Sequence, residues 1–307
     1  MNVILPLLGF FALGVLARAF VPNPALWVKW INNFIIYIAF PAIIFNKVPS
    51  LELSANILIP ASFAWAWALI AIALVFIISR AMKLRRETTG ALLILTTMGN
   101  TSFLGYALTS TIFGDSALAY AIFYDQFGSF FILSTLGLII IARYTPVNDQ
   151  GLDGIGSPPT MLEMGKRIIS FPPFLTLCVA IFLPIEPLVE VVLPVTQVFA
   201  SSLMPLALFV IGLQFQMQLL PQHRKPLAIG LALKMVLAPM LALAVFEIIN
   251  IKGDIRIATV FEAAMPSMIT PGLLAINAGI APRFVATFLG YGTVFALFSL
   301  PIVVYFL

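Results

Sequence analysis

Charge is scarce in this chain: only 9% of its 307 residues are Asp, Glu, Lys or Arg, against ~25% in a soluble domain. Histidine and cysteine occur once each, as His223 and Cys178. One cysteine excludes an internal disulfide, and one histidine excludes a histidine metal cluster or relay. No HExxH motif is present, so neither a metal centre nor a nucleophile–base pair can readily be assembled, and the expectation is no enzyme and no cofactor. Long polar stretches are also missing. Only Tyr144–Lys166, containing YTPVNDQGLDGIGSPPT, reads as a linker.

What the chain has instead is apolar sequence: 62% of residues, with a mean hydropathy of +1.10. Uncharged runs separated by short polar breaks place ten membrane spans, at 3–20, 28–46, 57–80, 89–112, 116–143, 167–185, 193–217, 226–249, 255–278 and 283–306. The first run has no Lys or Arg before it and no cleavage site after it, so it reads as a span and not a signal peptide. The net charge of +4 is explained by topology and not by nucleic acid. Odd-numbered loops hold twelve basic residues, among them Arg18, Lys29, Arg80, Lys83, Arg85 and Arg86, while even loops hold only Lys47, Lys252 and Arg256. That bias places the odd loops in the cytoplasm and both termini outside a cell (inner) membrane. The Lys83–Arg86 cluster reads as a topology anchor touching anionic lipid. Trp27, Trp30, Trp65 and Trp67 read as interface or packing residues, and His223 as an inert loop residue.

Sliding the chain by 164 residues superposes 1–143 on 165–307, leaving 144–164 between them as a cytoplasmic linker. Pro41 and Phe45 then meet Pro205 and Phe209, Gly128 meets Gly292, and Asn100–Ser102 meets Ala264–Pro266. Because each half holds five spans, the second half enters from the opposite face. The expected fold class is therefore an all-α polytopic membrane protein, ten transmembrane helices as two inverted five-helix repeats, a common build of secondary transporters. In the fourth span TTMGNTSFLG interrupts the apolar helix, and in the ninth EAAMPSMITPG does so with two prolines and a glycine. Unwound backbone at membrane depth survives only where protein or a wet cavity satisfies it. Paired breaks in equivalent spans therefore point to a binding site. Each half-helix after a break aims its positive end inward, which suits an anion. The substrate-binding candidates are Asn100, Thr101, Ser102, Met265, Pro266, Ser267 and Pro271.

GNTSFLGYAL followed by IFGDSALAYAIFYDQFG resembles the Gly-Asn-Thr-x-Phe-Leu-Gly signature of the auxin efflux carrier family. AAMPSMITPGLLAINAGIAPRFVATFLGYGT and FPAIIF resemble that family's ninth and second spans. The resemblance, over essentially the whole chain, implies a ten-span carrier with a scaffold, a mobile transport unit working elevator-like, and two broken helices crossing at the binding site. It further implies a small carboxylate as substrate, auxin-like or a dicarboxylate. The long cytoplasmic loop of many plant members is absent here.

Four polar residues belong to the middle of spans by a rise of ~1.5 Å per residue: Glu262 ~11 Å deep, Asp125 with Gln126 ~14 Å deep, and Lys234 ~12 Å from the opposite face. Such residues are costly unless paired or wet. Two carboxylates and one ammonium leave a net −1, which favours a bound cation or proton, so Glu262, Asp125, Gln126 and Lys234 are the ion-coupling candidates. A structural ion pair between Lys234 and one acid is the plainer alternative. Glu262-x-x-Met265 also resembles the ninth span of bile acid:sodium symporters, where a glutamate beside the break helps hold sodium. Na+ and H+ both stand open as the coupling ion. The expected activity is alternating-access transport of a small organic anion, with an ion channel or uncoupled uniporter as the rival. Membrane lipid and a second copy in a homodimer are the expected partners besides substrate.

Overall fold

Apolar runs this long have no alternative in lipid to satisfying their backbone internally, and helices do so. The computed structural model describes residues 4–48, 55–146, 160–182, 186–215 and 220–307, and among these every regular element is helical. The expected linker falls largely on 147–159, outside the described residues. In chain order the helices are α1 (Ile4–Phe20), α2 (Pro24–Lys47), α3 (Asn56–Ala81), α4 (Arg86–Thr97), α5 (Tyr106–Phe113) and α6 (Asp115–Tyr144). Then follow α7 (Met161–Ile169), α8 (Pro172–Phe182), α9 (Val192–Gln214), α10 (Pro221–Ile249), α11 (Asp254–Ala263), α12 (Ile269–Asn277) and α13 (Pro282–Phe306).

Six of these helices, α2, α3, α6, α9, α10 and α13, are continuous, apolar and long enough to cross a membrane. A seventh crossing arises if α7 and α8 count as one span, although they meet at 67°. Phe171-Pro172-Pro173 forces that bend, since proline restricts the residue before it and removes helix donors. Thr160 and Glu163 close a capping box that fixes where α7 starts.

Helices α1, α2, α8 and α9 pack on one another along one side of the molecule. The α1–α9 contact is close because Gly14 faces Gly212. A methyl group on Gly14 would come within 2.2 Å of the Phe209 carbonyl, and one on Gly212 within 2.2 Å of the Phe11 carbonyl. Without a hydrophobic effect between helices in lipid, such small-residue contact supplies the dispersion energy that joins them. The Arg18 guanidinium also donates to the Phe215 carbonyl at the end of α9. The largest buried core lies elsewhere, among α3, α4, α6 and α10–α13, around Trp67, Leu92, Phe284 and Phe288. Trp67 is packing, with its indole N–H donating to the Thr96 carbonyl, while Trp27 and Trp30 lie exposed. Two smaller cores seam the groups together. One joins α2, α8 and α9 to α6 through Phe40, Tyr106 and Leu118, and the other joins α9 to α11 and α13 through Ile211, Phe261 and Met265.

Candidate functional site

The two interrupted segments meet. Helix α4 stops at Thr97, Met98 runs extended into the bridge residue Gly99, a π-helical turn follows Asn100 at Thr101–Gly105, and α5 resumes. On the other side α11 stops at Ala263 and α12 starts at Ile269. Between them Gly99 and Ser267 form an antiparallel bridge. The Asn100 N–H donates to the Pro266 carbonyl at 2.7 Å, and the Met268 N–H donates to the Met98 carbonyl at 3.2 Å. The Ser267 hydroxyl donates to the Leu95 carbonyl. Each unwound segment thus satisfies the other, which answers how broken backbone survives at membrane depth. The approach at Gly99 is tight, as a Cβ there would lie 3.2 Å from the Lys234 ammonium and 3.4 Å from the Glu262 carbonyl. Residues 98–100 thus face 266–268.

The candidate substrate residues Asn100, Thr101, Ser102, Met265, Pro266, Ser267 and Pro271 are all buried and gathered on these two segments. Thr101 and Ser267 already give their hydroxyl protons to protein acceptors. The Asn100 side chain caps nothing. Neither the π-helical turn nor α12 has a side-chain N-cap bond, although the Asp125 carboxylate lies at the first of these starts, where it accepts from Thr101. The opposite ends are treated differently. The Lys234 ammonium donates to the Ala263 carbonyl at 2.7 Å, the last residue of α11. A cation at a helix C-terminus complements its dipole. No carboxylate lies within 4 Å of it: among the described residues the ion pairs are Lys47–Asp115 and Arg256–Glu247. The structural ion pair considered from sequence is thus not what holds Lys234.

The two carboxylates differ. Asp125 and Gln126 sit on a π-helical turn within α6. Asp125 accepts from Thr101 Oγ1 at 2.5 Å through Oδ1, and from Tyr106 at 2.9 Å and Gln126 Nε2 at 2.8 Å through Oδ2. Both oxygens are used, so Asp125 ties α6 to the first break. Glu262 has far less. Its Oε1 accepts from Thr109 Oγ1 at 3.0 Å, and its Oε2 is buried with no partner among the described residues. The carboxylate presses on the first break, where a Cβ on Gly105 would meet Oε2 at 2.1 Å. Sequence reasoning did not single out Thr109 and Tyr106. They lie three residues apart, hence on one face of α5, and that spacing behind the break was the available signal. Thr101, Asp125, Gln126 and Lys234 all sit on π-helical turns, an irregularity that concentrates at functional positions.

The chain is 26% identical over 306 residues to an uncharacterised transporter of Methanocaldococcus jannaschii, covering 97% of this chain and 95% of the relative. It is 25% identical over 286 residues to one of Methanothermobacter thermautotrophicus, covering 89% and 86%. A Rhizobium meliloti protein provisionally named a malonate transporter is 28% identical over 260 residues, 78% of this chain and 74% of its own. A family model described as membrane transport protein matches residues 3–304, and the chain belongs to that auxin efflux carrier-type family of multi-pass transporters.

Proposed function

We propose that this transporter is a secondary carrier for a small organic anion, with a dicarboxylate of the malonate type as the leading substrate. The observation that carries the reading is the crossing itself. Two half-helices without N-terminal capping side chains begin where the Asn100 amide and the Ser102 hydroxyl are buried, and the matching C-terminal end at Ala263 is occupied by Lys234. Such an arrangement recognises negative charge through backbone N–H groups and dipoles, without a full countercharge that would hold the anion too tightly to release. The relative named for malonate transport supports the choice of dicarboxylate.

In this reading ten segments cross a cell (inner) membrane, with both termini outside: the six continuous helices, α1, the bent α7–α8 pair, and the two broken pairs α4–α5 and α11–α12. Glu262 is the coupling group, taking a proton or an Na+ ion at its unpartnered oxygen. The separation of α1, α2, α8 and α9 from the larger core fits a scaffold against which the crossing moves between faces. Proteoliposomes loaded with unlabelled malonate and given labelled malonate outside test the reading. Saturable counterflow, abolished by an excess of unlabelled malonate, is the expected result. Ohmic single-channel currents without counterflow would replace the carrier with a pore.

A further inference from the structure

We propose that a cleft beside the crossing is an anion-collecting vestibule on the face that carries the basic loops, with Arg18 and Lys29 setting its affinity from that face alone. The inference rests on the organic-anion reading above and adds the route by which the anion arrives. The cleft encloses about 610 Å³, within the range of small-molecule pockets. Its walls are the end of α1, the start of α2 and the last turn of α9 on one side, and α12 with the first half of α13 on the other. All of these are helix portions next to odd-numbered loops, the set that carries the basic bias, so the cleft belongs to one face. Its inner limit is Ile269, the first residue of α12 and the neighbour of Met268, which hydrogen-bonds across the crossing.

The chemistry of the lining decides the ligand. Arg18, Lys29, Asn32, Asn33 and Gln214 supply charge and amides, the rest is mostly apolar, and among the described residues no Asp or Glu lines the cleft. Two cations unopposed by acid in a low-dielectric recess focus a positive potential and raise local anion concentration. Arg18 is held in place by its bond to the Phe215 carbonyl, which leaves further donors of its guanidinium free for a carboxylate. Asn32 Oδ1 and Gln214 Oε1 are buried without partners among the described residues, while Gln214 Nε2 donates to the Val210 carbonyl at 3.4 Å. A small anion with an apolar body fits this lining.

Reactivity of a cysteine reads the potential without any need for transport. In a Cys178→Ser background, Asn33→Cys places a thiol in the cleft. A negatively charged methanethiosulfonate reagent is expected to label it faster than a positively charged one of matched size. Lys29→Gln should shrink that preference about four-fold, one unit of charge at ~8 Å in water changing each rate about two-fold in opposite senses. Malonate should slow the labelling. In proteoliposomes Lys29→Gln should raise the half-saturating malonate concentration about three-fold from the basic-loop face and leave the other face unchanged. Arg18→Lys, which keeps the charge, should preserve the reagent preference if Arg18 acts through its charge. An unchanged reagent preference in Lys29→Gln, or an equal effect at both faces, overturns the vestibule. Protection by an anionic phospholipid but not by malonate also overturns it, assigning the cleft to a lipid headgroup. Should the unmodified carrier move no dicarboxylate, the substrate reading fails separately, and the reagent preference still decides the cleft.

Discussion

Glu262 is held by one hydroxyl on one oxygen, while Asp125 is held by three donors on two. That asymmetry separates a group free to exchange a ligand from a group that positions others. Glu262→Gln should therefore abolish gradient-driven uptake in liposomes while counterflow persists, because the anion site is left in place. Uptake with its normal ion dependence in that variant would move the coupling role elsewhere. Asp125→Asn should behave as a structural lesion. Its NH₂ would face the hydroxyl and amide donors that the carboxylate now accepts, and unsatisfied buried groups cost about 1–3 kcal/mol each. A lower melting temperature with an unchanged ion dependence is the expected signature. For Asn100→Ala, losing a hydrogen bond to a charged ligand is worth roughly 1.5–3 kcal/mol, so malonate affinity should fall about ten- to hundred-fold with the fold retained. An unchanged affinity in that variant would take Asn100 out of the anion site.

At the scale of elements, the crossing is tight at Gly99 and tightest at Gly105. Gly105→Ala places a methyl group 2.1 Å from Glu262 Oε2, and overpacking of this kind costs typically 1–3 kcal/mol. The expected outcome is impaired ion dependence together with a lower melting temperature, measured on one preparation. The breaks were legible in the sequence because proline, glycine and a polar triplet interrupt runs that are otherwise uniformly apolar. Burial of Glu262, Asp125 and Lys234 was legible from their distance into those runs. Their partners were not. Thr109 reaches Glu262 across 153 residues of sequence and Ser267 reaches Leu95 across 172, and no local pattern encodes such pairings. Lys234 stands in the sequence as an ion-coupling candidate, with pairing to an acid as the alternative, and its hydrogen bond to the helix end at Ala263 is not visible there. Charge counting sees formal charges and misses the partial charge of an unpaired carbonyl.

At the scale of the molecule, the basic bias of alternate loops sets an expected orientation that labelling can check. Cysteines placed between Gly151 and Pro159 should resist an impermeant thiol reagent added to intact cells, and ready labelling would reverse the orientation. The antiparallel bridge at the crossing carries a further consequence, for the making of the protein. Gly99 and Ser267 are joined only after synthesis has advanced through both halves. Until then Met98 and Asn100 have no partners for the carbonyl and amide that the second half will engage, and each such group in lipid costs several kcal/mol. The first half must therefore wait, with its break held in water or by the insertion machinery, until α11 and α12 arrive to receive it. Residues 1–146 expressed alone should be degraded, and co-expression with the remainder of the chain should rescue them.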